Sequence, residues 1–412
     1  VSIPIEVCGL GVDQFNEVLP DPTFQIEARE YKFLHISSCF PRKGIQILLE
    51  AYGKAFTIKD DVSLIIKTFA NPHNEVNNLL SEYRTNSEYP HVLIIEKDLN
   101  DFELKALYDK CDCLVAPSFG EGFGLPLAEA MIADLPVITT SWGGQSDFCN
   151  QHNSWLIDYD FKYSRTHFNL SFSVWAEPSV KHLTSLLEEV KLTPQKDLIK
   201  KTKLAKMNII NNFTWENVAS KNINFVDSLL EFKSNSRVKI GFITTWNTRC
   251  GIASYSEHLI DNITENYVVL APNDNQLIAN DNTDVVRLWN KNDKKEDFKK
   301  LEQYIVNSRI TSVVLQFNYG FYDFNQLNDF LLRLKHHKVS IIVILHSTQD
   351  PSVSISKSLH DLVNAFSICD RLLVHTPSDM NRLKSYNLVD NVTLFPHGIL
   401  DFNFNSTKSV FN

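Results

Sequence analysis

The 412-residue chain is 43% apolar and 22% charged, enough hydrophobic material for about two ordinary cores and too much for a disordered chain. Its net charge of −9 argues against an electrostatic nucleic-acid binder, which needs a basic face to release counterions. The longest apolar runs, such as Val339 to Leu345, fall short of the roughly 18 residues that suit a membrane-spanning helix and read as buried strands.

Strand-like runs alternate with helical periodicity along nearly the whole chain, which predicts an α/β fold with parallel sheets flanked by helices. In the first half, strands are expected from Phe33, Ser63, Val92, Cys113 and Pro136, and helices from Gly44 and Asp101. An amphipathic helix is expected to end near Phe232, and a polar break from Lys233 to Arg237 follows it. The alternation restarts at Val238 and continues with strands from Tyr267, Val285, Ser312, Ser340 and Arg371. The expectation is two Rossmann-like domains, residues 1–235 and 236–412.

Two segments share one pattern: "IEVCGLGVDQFN" from Ile5 and "VTLFPHGILDFN" from Val392, each a β run, a glycine, a β-branched residue and then Phe-Asn. If Gly11 and Gly398 mark the same junction, the chain opens at the second domain of one two-domain enzyme and closes after the first domain of another.

The seven cysteines (Cys8, Cys39, Cys111, Cys113, Cys149, Cys250, Cys369) show no metal spacing and fit reduced thiols in a cytosolic protein. Cys111 and Cys113 are expected to pack in a core rather than bind metal. Asn-x-Ser/Thr matches at Asn169, Asn212, Asn262, Asn391 and Asn405 are then chance, and no signal peptide is expected before them. Asp158-Tyr159-Asp160 imitates a metal-binding carboxylate motif, but three-residue matches are common and no metal is expected there.

The stretch "FPRKG" after a strand, then "PSFGEGFGLPLAEAM" and "LPVITTSWGG", resembles the C-terminal, donor-binding domain of retaining glycosyltransferases of family 4, which have the GT-B fold. The resemblance runs from about Ile5 to Phe232, where "FTWENVA" is similar to a common closing element. The second half resembles the acceptor-side N-terminal domain of the same family through "GFITTWNTRCGIASYSEHL", "ILHSTQD" and "FPHGI". The likeness extends to bacterial O-antigen and other polysaccharide glycosyltransferases that carry several modules in one polypeptide.

That resemblance implies a nucleotide-diphosphate sugar as donor, a glycan or lipid-linked glycan as acceptor, further glycosyltransferase modules as partners, and no metal or other cofactor. It implies transfer of a hexose such as mannose with retention of configuration, in the cytoplasm or at the periphery of the inner membrane. A donor of this kind gathers negative charge on its diphosphate as the sugar bond breaks, so the site needs cations and amide donors there. Arg42 and Lys43, at a strand end, can supply the cations; their alternative is two solvated charges at a helix start. Gly122, Phe123, Gly124 and Leu125 precede a helix that Pro126 is suited to begin, where amides and the helix end favour phosphate.

Glu129 is expected in that helix's first turn, directed back toward the loop, where it accepts hydrogen bonds from two ribose hydroxyls or simply caps the helix. By the family pattern Glu121 faces the transferred sugar. The leaving phosphate can take the acceptor's proton, so a missing protein base does not exclude transfer. On the acceptor side His346 ends an apolar strand and Gly251 lets a helix N-terminus approach a ligand, against a structural histidine and a plain turn as alternatives. Many relatives place an arginine five residues before the lysine, where this chain has Ser38. Two other outcomes remain open at this level: a module that binds nucleotide-sugar without turnover, and a sugar-nucleotide epimerase of the same fold.

Overall fold

The computed structural model describes residues 5–165, 170, 172–231, 238–293, 295, 298–351 and 357–398. The Lys233–Arg237 break, Asn169, Asn405 and the Ile399–Asn403 half of the repeated pattern lie outside the described residues. The chain divides into two compact units between Lys233 and Ser234.

The first unit runs β1 (Tyr31–Ile36), α1 (Ile45–Ala55), β2 (Val62–Lys67), α2 (Val76–Tyr83), β3 (His91–Ile95), α3 (Asp101–Asp109), β4 (Cys113–Ala116), α4 (Leu125–Ile132), β5 (Val137–Thr140) and β6 (Trp155–Ile157). A hairpin-like pair, β7 (Tyr159–Tyr163) and β8 (Val174–Pro178), precedes α5 (Val180–Leu192), α6 (Gln195–Asn212) and α7 (Trp215–Glu231). Its six-stranded sheet has the order β3-β2-β1-β4-β5-β6 with every pairing parallel.

Strand alternation explains why this sheet is covered on both sides. Phe33, Leu64 and Ile66 enter one core with Leu48, Tyr52 and Leu183, while Leu34, Ile65 and Leu114 enter the opposite one with Leu107, Leu127 and Met131. With both faces buried, β2 reads as an uninterrupted apolar run, as strands of parallel sheets do. Helix α1 supplies Ile45, Leu48, Leu49 and Tyr52, a stripe spaced i, i+3, i+4, i+7. Helix α3 starts at a reciprocal cap between Asn100 and Glu103.

The second unit runs β9 (Lys239–Ile243), α8 (Gly251–Ile260), β10 (Asn266–Pro272), β11 (Val285–Trp289), α9 (Lys299–Asn307), β12 (Ser312–Phe317) and α10 (Phe324–His336). It continues with β13 (Ser340–Leu345), α11 (Val363–Ser367), β14 (Arg371–Val374), α12 (Pro377–Lys384) and β15 (Val392–Leu394). The order is β11-β10-β9-β12-β13-β14-β15, again all parallel.

Both sheets are thus doubly wound: the strand order reverses between β1 and β4 in one and between β9 and β12 in the other. Loops leaving such a pair of strands diverge to opposite sides, which opens a crevice at their carboxyl ends. Each strand expected from the alternating apolar runs of the two halves is present in the fold, whereas the β run read at Ile5 forms no strand and leaves Ile5 and Val7 exposed. Strands β6, β7 and β8 were not expected, because β6 has three residues and the other two form a separate antiparallel pair.

All seven cysteines are free thiols, and Cys111 and Cys113 are buried in the two cores. No group of metal-ligating side chains forms among the described residues, Asp158 and Asp160 included. No helix among them is long and apolar enough to cross a membrane. Because Leu48 is fully enclosed between α1 and the sheet, Leu48→Ala is expected to cost the first unit about 2–5 kcal/mol. The measurement is the urea midpoint of that unit's unfolding.

Candidate functional site

In the first unit the loops after β1 and β4 meet at the crevice. After β1 the chain makes a short 3-10 turn, Pro41–Lys43, which carries Arg42 and Lys43. After β4 the chain runs through Ser118 and Glu121 to Gly124, whose φ of 94° suits glycine and lets the backbone turn into α4. Lys43 Nζ donates to both Glu121 carboxylate oxygens, at 2.6 and 2.8 Å, and buried Ser118 Oγ donates to one of them at 2.7 Å. Arg42 lies 3.6 Å from the same carboxylate and donates to the Gly120 carbonyl at 3.0 Å.

Two cations against one carboxylate leave this patch net positive. The amides of Gly122, Phe123, Gly124 and Leu125 make no hydrogen bond among the described residues, and they stand at the positive end of α4. Space beyond Gly122 is open. The Phe123 side chain turns the other way into the core, its ring 5.1 Å from Phe148 and 5.8 Å from Phe213, so this residue can offer a ligand only its backbone. The arrangement suits a polyanion lying along the loop.

Glu129 departs from its expected place. It is the fifth residue of α4 rather than part of the first turn, so it does not cap the helix. Tyr108 Oη, from fully buried Tyr108 on α3, donates to Glu129 Oε2 at 2.8 Å. Burial raises the Glu129 carboxyl above the ordinary carboxylate range, partly offset by the Tyr108 hydrogen bond. At the position where relatives carry an arginine, Ser38 offers its carbonyl to Asn71 Nδ2 at 2.8 Å.

The loop after β5 supports the glycine turn. Gly144 N donates to the Glu121 carbonyl at 2.9 Å, and a Cβ on Gly144 would stand 2.0 Å from the Gly122 carbonyl oxygen. Strand β8 closes the other flank, with Ala176 N donating to the Phe119 carbonyl at 3.0 Å and Trp175 packed on Phe119 at 4.4 Å. Sequence reasoning missed Tyr108, Gly144 and Trp175 as site residues; the Gly-Gly pair after Trp142 was the one local signal.

Beneath the patch, fully buried His35 on β1 donates from Nδ1 to the Val115 carbonyl at 2.8 Å and accepts from Ser37 Oγ at Nε2, 2.7 Å away. Burial lowers its pKa from 6.5 to about 4, with a smaller push from Lys43.

In the second unit, three histidines end three neighbouring strands. His346 directly follows β13, His375 directly follows β14, and His397 lies just past β15. Their ring centroids are 3.7 Å apart for His375–His397, 5.4 Å for His346–His375 and 6.3 Å for His346–His397. Tyr255 of α8 meets all three edge-on. His346 Nε2 donates to Gln316 Oε1 on β12 at 2.7 Å. Burial, reinforced by His375 and His397, lowers His346 to about 4. Gly251 is the first residue of α8, with open space around it and no side-chain cap at Cys250. Of the predicted residues, then, the first unit gathers Arg42, Lys43, Glu121 and Gly122–Leu125 in one patch with Glu129 one turn along α4, while the second carries His346 and Gly251.

Residues 21–160, all within the first unit, match the family model described as Glycosyl transferases group 1. The chain is 27% identical over 165 residues to the UDP-N-acetylglucosamine–peptide N-acetylglucosaminyltransferase GtfA subunit of Limosilactobacillus reuteri, covering 39% of this chain and 31% of that protein. It is 32% identical over 107 residues to MMP alpha-(1->4)-mannosyltransferase of Mycolicibacterium hassiacum, 26% of this chain and 25% of the relative. With the serotype-specific mannosyltransferase WbdA of Escherichia coli it shares 26% identity over 161 residues, 35% of this chain and 20% of the relative. The chain therefore spans less than a third of the length of each of these proteins. Among solved structures, sucrose-phosphate synthase from Thermosynechococcus elongatus aligns with a TM-score of 0.42 at 19% identity, over 54% of this chain and 52% of that one.

Two outcomes test this local architecture. Gly144→Ala drives a methyl into a backbone carbonyl and is expected to destabilise the first unit by about 1–3 kcal/mol, read by denaturant unfolding. His35 has a folded pKa below its unfolded one, so the unfolded chain binds the extra proton between them. Stability is complete above about pH 6.5 and falls toward pH 4, by on the order of 3 kcal/mol from this group, and His35→Asn is expected to flatten that slope.

Proposed function

We propose that the chain belongs to a retaining glycosyltransferase of family 4 and GT-B type that moves a hexose, mannose by analogy with the named relatives, from a nucleotide-diphosphate sugar to a glycan acceptor. The proposed setting is bacterial surface polysaccharide synthesis on the cytoplasmic side of the membrane, with a glycan or lipid-linked glycan as acceptor. In this reading the first unit binds the donor and the second serves the acceptor, as the second and first domains of successive modules. The observation that carries it is the convergence of Arg42, Lys43 and four unbonded amides at the carboxyl ends of β1 and β4.

Charge on the diphosphate grows as the bond from the anomeric carbon to the phosphate oxygen breaks. Arg42, Lys43 and the amides of Gly122 to Leu125 are fixed in place before that happens, so they stabilise it without reorganising. Glu121 is held by Lys43 and Ser118 and would orient the sugar while steadying positive charge at its anomeric carbon. The acceptor oxygen bonds to that carbon on the face the diphosphate leaves, and its proton passes to the leaving phosphate oxygen. Glu129, oriented by Tyr108, would accept hydrogen bonds from the ribose hydroxyls. His346 and Gly251 are assigned to the acceptor side, and no step uses a metal or other cofactor.

Calorimetric titration with nucleotide diphosphates and their sugars tests the assignment. Glu129→Ala is expected to weaken binding about tenfold or more, the worth of a hydrogen bond to a charged group. Glu121→Ala is expected to slow sugar release or transfer while changing affinity little. Because burial raises the Glu129 carboxyl, it protonates at a higher pH than an ordinary carboxylate; wild-type affinity should fall as pH drops through that range, and Glu129→Gln should remove the dependence. Equal affinity of wild type and Glu129→Ala would sink the ribose assignment.

A further inference from the structure

Two of the second unit's three imidazoles have hydrogen-bonding states set by their partners. The Phe395 carbonyl can only accept, so His375 Nδ1, 2.7 Å from it, carries the proton and Nε2 keeps a lone pair. His375 is 8% exposed, and that Nε2 is buried with no hydrogen-bond partner among the described residues. His346 donates from Nε2 to Gln316 Oε1, which leaves its Nδ1 as an acceptor too. His397, by contrast, is exposed and lies at 3.7 Å and 23° on the His375 ring. Its ring also meets the edge of Tyr255 at 5.5 Å and lies 6.3 Å from the His346 ring.

A proton on any one ring would bring positive charge within a few ångströms of the other two. Asp379, whose charge reaches His375, accepts from Thr348 and Thr376, and Arg382 lies 3.6 Å from Asp379 and donates to Thr348. Burial, with a smaller push from His397, opposes a second proton on His375, while the Phe395 carbonyl and Asp379 favour it. The bonds to the Phe395 carbonyl and to Gln316 therefore leave ring lone pairs on His375 and His346. A group that lacks protons to donate, such as a phosphate or carboxylate, gains nothing from them, whereas a hydroxyl does.

We infer that His346, His375 and His397 form one hydrogen-bond-accepting site for a hydroxyl-bearing ligand of the sugar class, in which buried His375 is the positioning residue that holds His397 beside His346. This deepens the acceptor-side reading of the second unit and rests on it. The carbonyl of Phe395 fixes the His375 ring, and the ring in turn fixes His397 at the end of the sheet. Strand order makes this possible, since β13, β14 and β15 are adjacent and each delivers one imidazole.

The test is a nuclear magnetic resonance titration of the full chain at pH 7.5 with methyl α-D-mannoside, following the ring carbon-bound protons of the three histidines. The wild type is expected to show all three rings responding with one apparent affinity. His375→Phe keeps a ring without the accepting nitrogen, and His375→Asn keeps a donor for Phe395 without the ring. Both are expected to weaken the response of His346 and His397 at least tenfold, and whichever of the two retains wild-type methyl spectra is the one scored. Sugar that shifts His346 with unchanged affinity in the scored variant overturns the positioning role; sugar that moves none of the three rings overturns the site. Loss of nucleotide-diphosphate binding in the first unit would instead sink the donor reading while leaving the imidazole result standing.

Discussion

The ion pair between Lys43 and Glu121 is the interaction on which the first unit's site depends. It spans two loops that have no sequence proximity, one leaving β1 and the other leaving β4, and joins them across the point where the strand order reverses. The side chains are only 16% and 10% exposed, so neither charge is well solvated without the other. Removing one partner of such a pair leaves a poorly hydrated charge behind, which is far more costly than the pair's net worth. The constraint works both ways: a ligand that draws Lys43 toward itself must offer Glu121 something in exchange. A sugar beside a diphosphate does, with hydroxyls for the carboxylate and phosphate oxygens for the ammonium.

The rest of the loop geometry follows from backbone rather than side chains. Gly124 turns the chain into α4, Gly144 lies against the Gly122 carbonyl, and β8 holds the loop at Phe119. Three separate segments therefore fix a stretch whose amides remain unbonded. An anion site assembled this way needs no rearrangement when it is filled, which is the condition for electrostatic stabilisation of a charge that develops during reaction.

Much of this was legible in the sequence, for physical reasons that also mark where legibility stopped. Parallel strands buried on both faces are apolar runs, so β2 and β12 announce themselves without alternation. The glycine turn and its glutamates sit within 14 consecutive residues, Ser118 to Met131, and can be read as one unit. The placement of Glu129 one turn deeper could not be, because its partner Tyr108 is on another helix, 21 residues earlier, and nothing in helical periodicity pairs them. Strand β6 has only three residues, and β7 and β8 carry charged residues within an antiparallel pair outside the main sheet, so neither reads as a buried apolar run. His375 and His397 come together only because β14 and β15 are neighbours, a fact of sheet order rather than of spacing.

Tyr108 has one further consequence. Its ring is enclosed in the core against Phe15, at 5.4 Å, while its hydroxyl reaches Glu129. The orientation of a carboxylate near the surface is thus set from inside the protein, through a lever whose fulcrum is packing between α3, α4 and the segment around Phe15. Selection on ligand affinity could act on interior positions that never touch a ligand, and a library confined to the visible rim of the crevice would overlook the residues that tune it.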